Sequence, residues 1–401
     1  MLLKFSVDNF KSHINATYEP GPFNLLVGMN NAGKTNFCQA LRFLSLSVRL
    51  PLSEAIVSAT GEATNLPNLF FDKKTIDFKC TSRIQYGSES LLFDYELSLT
   101  VETSLLGTSQ TRTYKVKDEH LRVSGGPFQA TTLLSNEGGS IKLLHERSFL
   151  TGDTEDRWFV ATEQPTHATM LSRLYDLDTN RRANLFKKYL SEWQYYDFDT
   201  LQLRKTDAKP FDQILNPDGS NLSSVLYQLK VSDGRLFRKL LEALRSIDPK
   251  VEEINFFAPT QEQVYMFVED GKGNRLGIQS LSNGTLKYIA LTYVLLTNGN
   301  RTKSLGYAPL VIVEEPENGI YVGLLRELLK RIESSEASGQ FIFTSHSPYF
   351  IDLFETKLDY VIVLKNLGAT HSQLLKLPKE KVVPLLGEFS LGELHFRELL
   401  A

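Results

Sequence analysis

"LLVGMNNAGKTNF" runs from Leu25 to Phe37, and the reading of the rest of the chain turns on it. Its core, Gly28-Met29-Asn30-Asn31-Ala32-Gly33-Lys34-Thr35, fits the pattern glycine, any four residues, glycine-lysine-serine/threonine. In that pattern loop N–H groups cradle phosphates and the lysine reaches the β and γ oxygens. Such a loop works only between a buried strand and a helix N-terminus, where orphan amides and the dipole attract anions. Both flanks are present. Upstream, "FNLLV" (Phe23 to Val27) is an apolar run ended by Gly28, and downstream Phe37, Ala40, Leu41 and Leu44 recur at helical spacing. The alternative at this stage is a strand-to-helix turn that has the spelling by chance.

The bulk properties leave room for a nucleotide-binding fold without requiring one. A chain of 401 residues, 42% hydrophobic, can bury a sizeable core, and at ~150 residues per domain it predicts two or three structural units. No run of 18 apolar residues exists, and "MLLKFSVDNF" enters strand-like alternation at once, so the expectation is a cytoplasmic protein without a signal peptide. Cys38 and Cys80 are the only cysteines, which gives neither a zinc spacing nor a disulfide framework. With a net charge of −3, nucleic-acid binding would need a local basic patch.

Along the chain, residues 1–74 read as strand, turn, strand, loop and helix. Residues 75–260 read as an insertion. It opens with Thr-, Tyr- and Ile-rich segments such as "IDFKCTSRIQY" and "LLFDYELSLTV" separated by glycine turns, a β-meander. It continues with helical stretches over Met170–Trp193 and Asn221–Ile247 and a loop, "LRKTDAKPFDQILNPDG", between them. Residues 261–401 return to α/β: a β pair in "VYMFVEDGKGNRLGI", a helix from Ser282, then the strands "PLVIVEE", "QFIFTSH" and "LDYVIVLK" with a helix from about Tyr321 between the first two. Two lobes distant in sequence would then complete one sheet.

Three further motifs bear on the phosphate reading. "PLVIVEEPENG" is a buried-strand run ending in Glu314-Glu315, and open α/β sheets bind ligands at strand C-termini. One carboxylate there could hold a magnesium ion and the other orient a water. The alternative is an acid cluster stabilised by a helix N-terminus. "LSNGTLK" (Leu281 to Lys287) opens a helix whose N-cap is Ser282; a serine hydroxyl, the Gly284 amide and the dipole could also grip a γ-phosphate. Taken alone, the plain cap is favoured. "FIFTSH" ends an apolar strand at His346, and a lone histidine there is more often structural.

Glycine-lysine loop, "LSNGTLK", "IVEEPE" and "TSH", in that order, resemble the Walker A, signature, Walker B with D-loop, and switch histidine of ABC-type ATPases. "VDNFKSHINATYEPGPFNLLVGMNNAGKTNF" looks like the opening of RecF, SMC and double-strand-break-repair ATPases. "EEPENG", "YDFD" (Tyr196 to Asp199) and "DGSNL" (Asp218 to Leu222) are similar to prokaryotic RecF/OLD-like ATPases of the AAA15 type. The resemblance implies an α/β ABC-type head built from N- and C-terminal lobes around the insertion. It also implies ATP hydrolysis with ATP and Mg2+ as cofactors.

By the same resemblance, Lys34 acts with Glu315 and His346 in catalysis, and Thr35 and Glu314 hold the metal. Lys11, Ser12, Gly28, Asn30, Asn31, Ala32, Gly33, Lys34, Thr35, Asn36, Ser282 and Gly284 contact nucleotide, the last two across a dimer. This chain departs from the pattern at the metal acid, usually aspartate and here Glu314, and in having no heptad-bearing arm. Gln85 is a Q-loop candidate by position only. The chain ends about fifty residues after His346, too soon for the TOPRIM nuclease domain of OLD proteins.

The expected function is an ATP-dependent dimerisation switch, as the sensor ATPase of a prokaryotic defence module with a separate nuclease or toxin effector. The alternative is a RecF-like repair ATPase that grips DNA ends or junctions. For that alternative, Arg235, Arg238, Lys239 and Arg245 share one face of a helix opposite Leu236, Leu240 and Leu244, although taken alone this pattern more often marks a solvated surface.

Overall fold

Alternating burial along "LLKFSVD" builds the first strand, β1 (Leu2–Asp8), followed by β2 (Ala16–Tyr18) and the wholly buried β3 (Phe23–Val27). This computed structural model describes residues 1–62, 65–106, 109–152, 157–162, 167–175, 179–206, 214–260, 263–333, 339–368 and 370–400. Two helices follow β3: α1 (Lys34–Ser47), which buries Phe37, Ala40, Leu41 and Leu44 as its spacing predicts, and α2 (Leu52–Thr60). Then come β4 (Thr75–Tyr86), β5 (Glu89–Leu106), β6 (Ser109–Gly125), β7 (Phe128–Glu137), β8 (Ser140–Leu144), α3 (Glu146–Thr151), β9 (Trp158–Thr162) and α4 (Arg181–Ser191). Strands β4 to β9 pair each with the next, so the meander is present, and β1 and β2 extend it to an antiparallel sheet of order β2-β1-β4-β5-β6-β7-β8-β9.

The chain divides into two compact units, Met1–Trp193 with Lys357–Pro384 and Glu398–Ala401, and Gln194–Thr356 with Leu385–Arg397. This grouping cuts differently from the three parts expected at 1–74, 75–260 and 261–401. Strand β1 hydrogen-bonds β4 from Leu2↔Ser82 to Asp8↔Asp77, so the first strands share a sheet with the meander rather than standing apart from it.

Within the first unit, two buried carboxylates hold helical turns, Glu119 from the meander and Glu146 from α3. Glu119 on β6 accepts from the Tyr95 hydroxyl (2.9 Å) and the Leu171 amide (3.0 Å). Glu146 accepts from the Arg182 amide at the start of α4 (2.8 Å). Burial pushes both carboxyls above their usual range.

The second unit opens with β10 (Gln194–Tyr196), a strand the sequence pattern did not announce. After it come α5 (Leu222–Ser232), α6 (Gly234–Ile247), β11 (Val251–Thr260), β12 (Gln263–Asp270), β13 (Arg275–Gly277), α7 (Asn283–Leu305), β14 (Leu310–Glu314), α8 (Val322–Glu333), β15 (Gln340–Ser345) and α9 (Pro348–Asp352). The helical stretch expected over Asn221–Ile247 is broken at Asp233, whose carboxylate caps α6 by accepting from the Leu236 amide (3.0 Å). Over Met170–Trp193 the described helix is α4 with a 3-10 turn at Leu171–Arg173, and residues 176–178 lie outside the described residues. So do 207–213 of the expected loop. Strands β10, β14 and β15 are parallel, in register from Gln194↔Val311 and Leu310↔Gln340; β11, β12 and β13 are antiparallel.

Back in the first unit, β16 (Val361–Leu367) runs parallel to β3 and antiparallel to β17 (His371–Lys376). Helix α10 (Lys379–Val382) follows, and α11 (Leu391–Phe396) returns to the second unit. There the Gly392 amide donates to the Asp352 carboxylate (2.6 Å) on α9, and a Cβ on Gly392 would lie 2.2 Å from the Pro348 carbonyl oxygen. Among the described residues no helix is long and apolar enough to cross a membrane.

Candidate nucleotide site

In the first unit, buried β3 delivers Gly28 to a loop that leaves it no room for a side chain. A Cβ there would lie 2.5 Å from the Leu364 carbonyl oxygen on β16 and 2.9 Å from Ala32 Cβ. The loop then turns through Asn31 (φ 64°) and Gly33 (φ 96°), a left-handed conformation that suits glycine and is tolerated by asparagine. Gly33 is the N-cap of α1 and brings no capping side chain, the arrangement in which an anion caps a helix. Lys34 is buried, and its ammonium donates to the Gly28 carbonyl (2.7 Å) and the Met29 carbonyl (3.3 Å). Asn30, Asn31 and Thr35 are exposed.

The turn after β1 supports this loop from one side. Ser12 Oγ accepts from the Asn36 side-chain amide (2.9 Å), which places Ser12 on the first turn of α1. Its neighbour Lys11 is drawn elsewhere, pairing with Glu62 (3.2 Å). Two residues that the motifs did not mark complete the support. His13 is fully buried, edge-on to Phe37, and its Nε2–H donates to the Gly33 carbonyl (3.0 Å). Burial lowers its pKa to about 4, so the ring is neutral at physiological pH. Ser372, from β17, donates its amide to the Ser12 carbonyl (2.6 Å). A Cβ on Gly33 would lie 2.4 Å from Ser372 Oγ and 2.6 Å from Ser12 Oγ, so two hydroxyls from distant segments close on this glycine.

Gln85 does not belong to this assembly. It lies at the β4–β5 hairpin tip and donates to the Gly87 carbonyl (3.2 Å). The other end of β4 is where Asn9 holds the Thr75 carbonyl (2.7 Å) beside the turn. Gln85 and Thr75 are ten positions apart along the strand, roughly 33 Å at the usual rise.

In the second unit, β14 ends in Glu314, which is buried and accepts from the Tyr195 hydroxyl on β10 (2.8 Å). Glu315 follows with φ 40°, a left-handed conformation that costs a non-glycine residue about 1–3 kcal/mol. Its amide donates to the carbonyl and hydroxyl oxygens of Thr344 on β15 (3.2 Å each). The turn aims its carboxylate at two donors, His346 Nδ1 (2.8 Å) and the Asn318 side-chain amide (2.7 Å). Glu315 and His346 are thus brought together as the sequence predicts, with Asn318 as an added partner.

The signature stretch starts α7. Ser282 is exposed and caps the helix, accepting from the Thr285 amide (3.0 Å); a cap of this kind is worth about 1 kcal/mol. Gly284 packs against the D-loop, where a Cβ would lie 2.8 Å from the Gly319 carbonyl oxygen. Lys287, one turn on, is buried. Burial lowers its pKa, opposed by the charges of Asp197, Glu317, Asp199 and Glu315.

A residue outside all four motifs clamps the entry to this helix. The Arg204 guanidinium donates to the carbonyls of Ile278 (2.8 Å), Gln279 (3.2 Å) and Leu281 (2.8 Å) and to the Asn283 side chain (2.6 Å).

The comparisons with known proteins bear on this geometry. A family model described as "AAA domain, putative AbiEii toxin, Type IV TA system" matches residues 23–352. The chain belongs to that family. It is an ATPase with the fold of an ABC-type head. An "ATP/GTP phosphatase" of Helicobacter pylori (strain ATCC 700392 / 26695) is 22% identical over 405 residues, spanning 96% of this ATPase and 95% of that relative. The solved structure of an SmcHead bound to the C-winged helix domain of ScpA superposes with a TM-score of 0.52 at 14% identity, covering 95% of this ATPase and 99% of that chain. At that identity the likeness speaks for the fold, an ABC-type ATPase head.

The clamp on the signature loop makes a prediction. Charge-assisted hydrogen bonds contribute about 1.5–3 kcal/mol each when shielded, and part of Arg204 faces solvent. Arg204→Met should therefore raise amide hydrogen exchange over 278–283 of this ATPase by roughly 10-fold. Exchange in β14 and β15 should be unchanged. Equal exchange over 278–283 in parent and variant would mean that the loop holds itself.

Proposed function

We propose that this ATPase is an ATP-driven dimerising switch, the regulatory sensor of a prokaryotic anti-phage defence module that acts through a separate nuclease or toxin effector. The observation that carries the reading is the exposure of Ser282 at the start of α7 while the neighbouring Gly284 is held against the D-loop. A signature that faces solvent is available to the nucleotide of a second copy. The family's description, which joins the AAA domain to a type IV toxin–antitoxin system, supports the defence setting.

In this reading residues 1–74 and 261–401 supply the two ATPase lobes and 75–260 the insertion. Lys34 and the amides of Gly28 to Asn36 hold phosphates, with Lys11 and Ser12 alongside. Glu315 orients the attacking water and His346 senses the γ-phosphate, while Ser282 and Gly284 act on the partner copy's nucleotide. Magnesium would be held by Thr35 and Glu314, a hydroxyl and a carboxylate that Tyr195 already orients. Among the described residues no group of three or more His, Cys, Asp and Glu side chains is placed to hold a metal. Bound by Thr35 and Glu314, the ion would neutralise charge developing on the transferred phosphoryl group. The resemblance to RecF-like ATPases supports placing the protein in the cytoplasm.

One observation favours the DNA-gripping alternative: Arg235, Arg238 and Arg245 are exposed on α6. Arg245, however, already donates to the Glu252 carbonyl.

The purified chain should hydrolyse ATP and leave linear, circular and single-stranded DNA and RNA uncut in magnesium or manganese, because phosphodiester cleavage needs its own metal-binding cluster. Cleavage that survives repurification and disappears in a point mutant of this chain would overturn the separate-effector reading. Salt-dependent DNA binding that is lost on reversing Arg235, Arg238, Lys239 and Arg245 would favour the repair alternative.

A further inference from the structure

Glu317 has no role in the reading above, yet it is only 8% exposed at a place where a carboxylate is costly to bury. It lies in the stretch "EEPENG" and its Oε1 accepts from the hydroxyl of Ser345, the last residue of β15. Ser345 Oγ in turn accepts from the Ser347 amide (3.0 Å). The residue between these two serines is His346, whose Nδ1 meets Glu315 Oε1 at 2.8 Å. We infer that Glu317 is a positioning residue, holding the Ser345–Ser347 turn so that His346 stands against Glu315.

The geometry makes Glu317 more than a filler of space. Parallel pairing of β14 with β15 ends at Glu314↔Thr344, so beyond that pair no ladder bond fixes the two chain segments. Among the described residues, what joins them further on is the Glu315 amide to Thr344, His346 to Glu315, and Glu317 to Ser345. Of the three, the Glu317–Ser345 bond is the buried one, and it alone bears on the backbone on both sides of the histidine. Its second oxygen, Oε2, has no hydrogen-bond partner among the described residues, which leaves the Ser345 hydroxyl as the side-chain group bonded to this carboxyl. Burial pushes its pKa upward, against the hydrogen bond from Ser345 that lowers it.

The inference rests on the proposed roles of Glu315 and His346, and the experiment separates the two. Steady-state hydrolysis of magnesium ATP by Glu317→Ala, Glu317→Gln, Ser345→Ala and the double variant Glu317→Ala/Ser345→Ala would be measured beside thermal melts. Glu317→Ala and Ser345→Ala should each lower kcat ~10–100-fold with KM within ~3-fold of the parent. The double variant should fall no further than the worse single one, because both remove one interaction. Glu317→Gln keeps an oxygen at the same reach and should stay within ~3-fold of the parent. A second readout needs no turnover: carbethoxylation of His346 by diethyl pyrocarbonate, followed by peptide mass, should be faster in Glu317→Ala and Ser345→Ala than in the parent and Glu317→Gln. Unchanged His346 modification in a folded Glu317→Ala, or effects of the two single variants that multiply, would overturn the inference. A parent chain without ATP turnover would overturn the roles given to Glu315 and His346 while the modification experiment still decides that of Glu317.

Discussion

Glu315→Gln is expected to slow ATP turnover ~100- to 10,000-fold, the range that general bases contribute, and to leave an ATP-bound dimer. The variant keeps the volume of the side chain and the left-handed backbone at φ 40°. What it loses is the acceptor pair. In the parent both carboxylate oxygens accept hydrogen bonds, Oε1 from His346 and Oε2 from Asn318. A glutamine offers one oxygen and one NH2, so it keeps both contacts only if His346 changes tautomer or the Asn318 amide turns over, and the group can no longer take up a proton from water. The phosphate loop, with Lys34 on the Gly28 carbonyl and Ser12 on Asn36, is untouched by the change. Binding should persist while hydrolysis stops, and light scattering with magnesium ATP should register a doubling of mass in the variant and transient association in the parent. Hydrolysis at the parent rate would remove Glu315 from the role of base.

The parts of this site that the sequence displays are those built from local patterns. β3 and β14 are each runs of five buried residues, four of them apolar, that lead into Gly28 and into the carboxylate pair. Helix α7 shows its serine cap, which is found in place. The supporting residues have no local pattern to display. Tyr195 lies 119 residues from the Glu314 it orients, Arg204 lies 74 residues from Ile278, and His13 lies 20 residues from Gly33. Each is a single polar side chain whose meaning comes only from the partner that folding brings to it.

The same distinction explains the missed strand and the missed break. Strand β10 is three residues long, too short for alternation to register. Helices α5 and α6 read as one because their apolar period continues across Asp233, although "SDG" there carries the signals of a stop and a new cap. Gln85 shows the opposite error, since a position in sequence suggested a role that the hairpin geometry of β4 and β5 denies.

Ser282→Arg should leave nucleotide binding by the parent loop intact and abolish hydrolysis, a loss of ~100-fold or more if the site is completed by a second copy. Two effects of the substitution must be kept apart. Ser282 caps α7 through the Thr285 amide, and losing that bond costs about 1 kcal/mol. Helix α7 has 23 residues and buries Leu286, Ile289, Ala290 and Tyr293, so such a cost leaves it folded. Ser282→Ala removes the cap and the hydroxyl without adding bulk, whereas arginine adds a long cation at an exposed position where a partner's nucleotide would sit. If the serine acts across a dimer, arginine should prevent the ATP-dependent increase in mass, and alanine should reduce turnover while still allowing association. If it is chiefly a cap, both variants should lose thermal stability together, and whatever folded protein remains should hydrolyse ATP at the parent rate. Measuring melting temperature, fluorescent-nucleotide affinity, mass with ATP and turnover on the same two variants decides between these outcomes. Loss of ATP affinity in a folded Ser282→Arg would place the serine in its own chain's nucleotide site and overturn the assignment across the dimer.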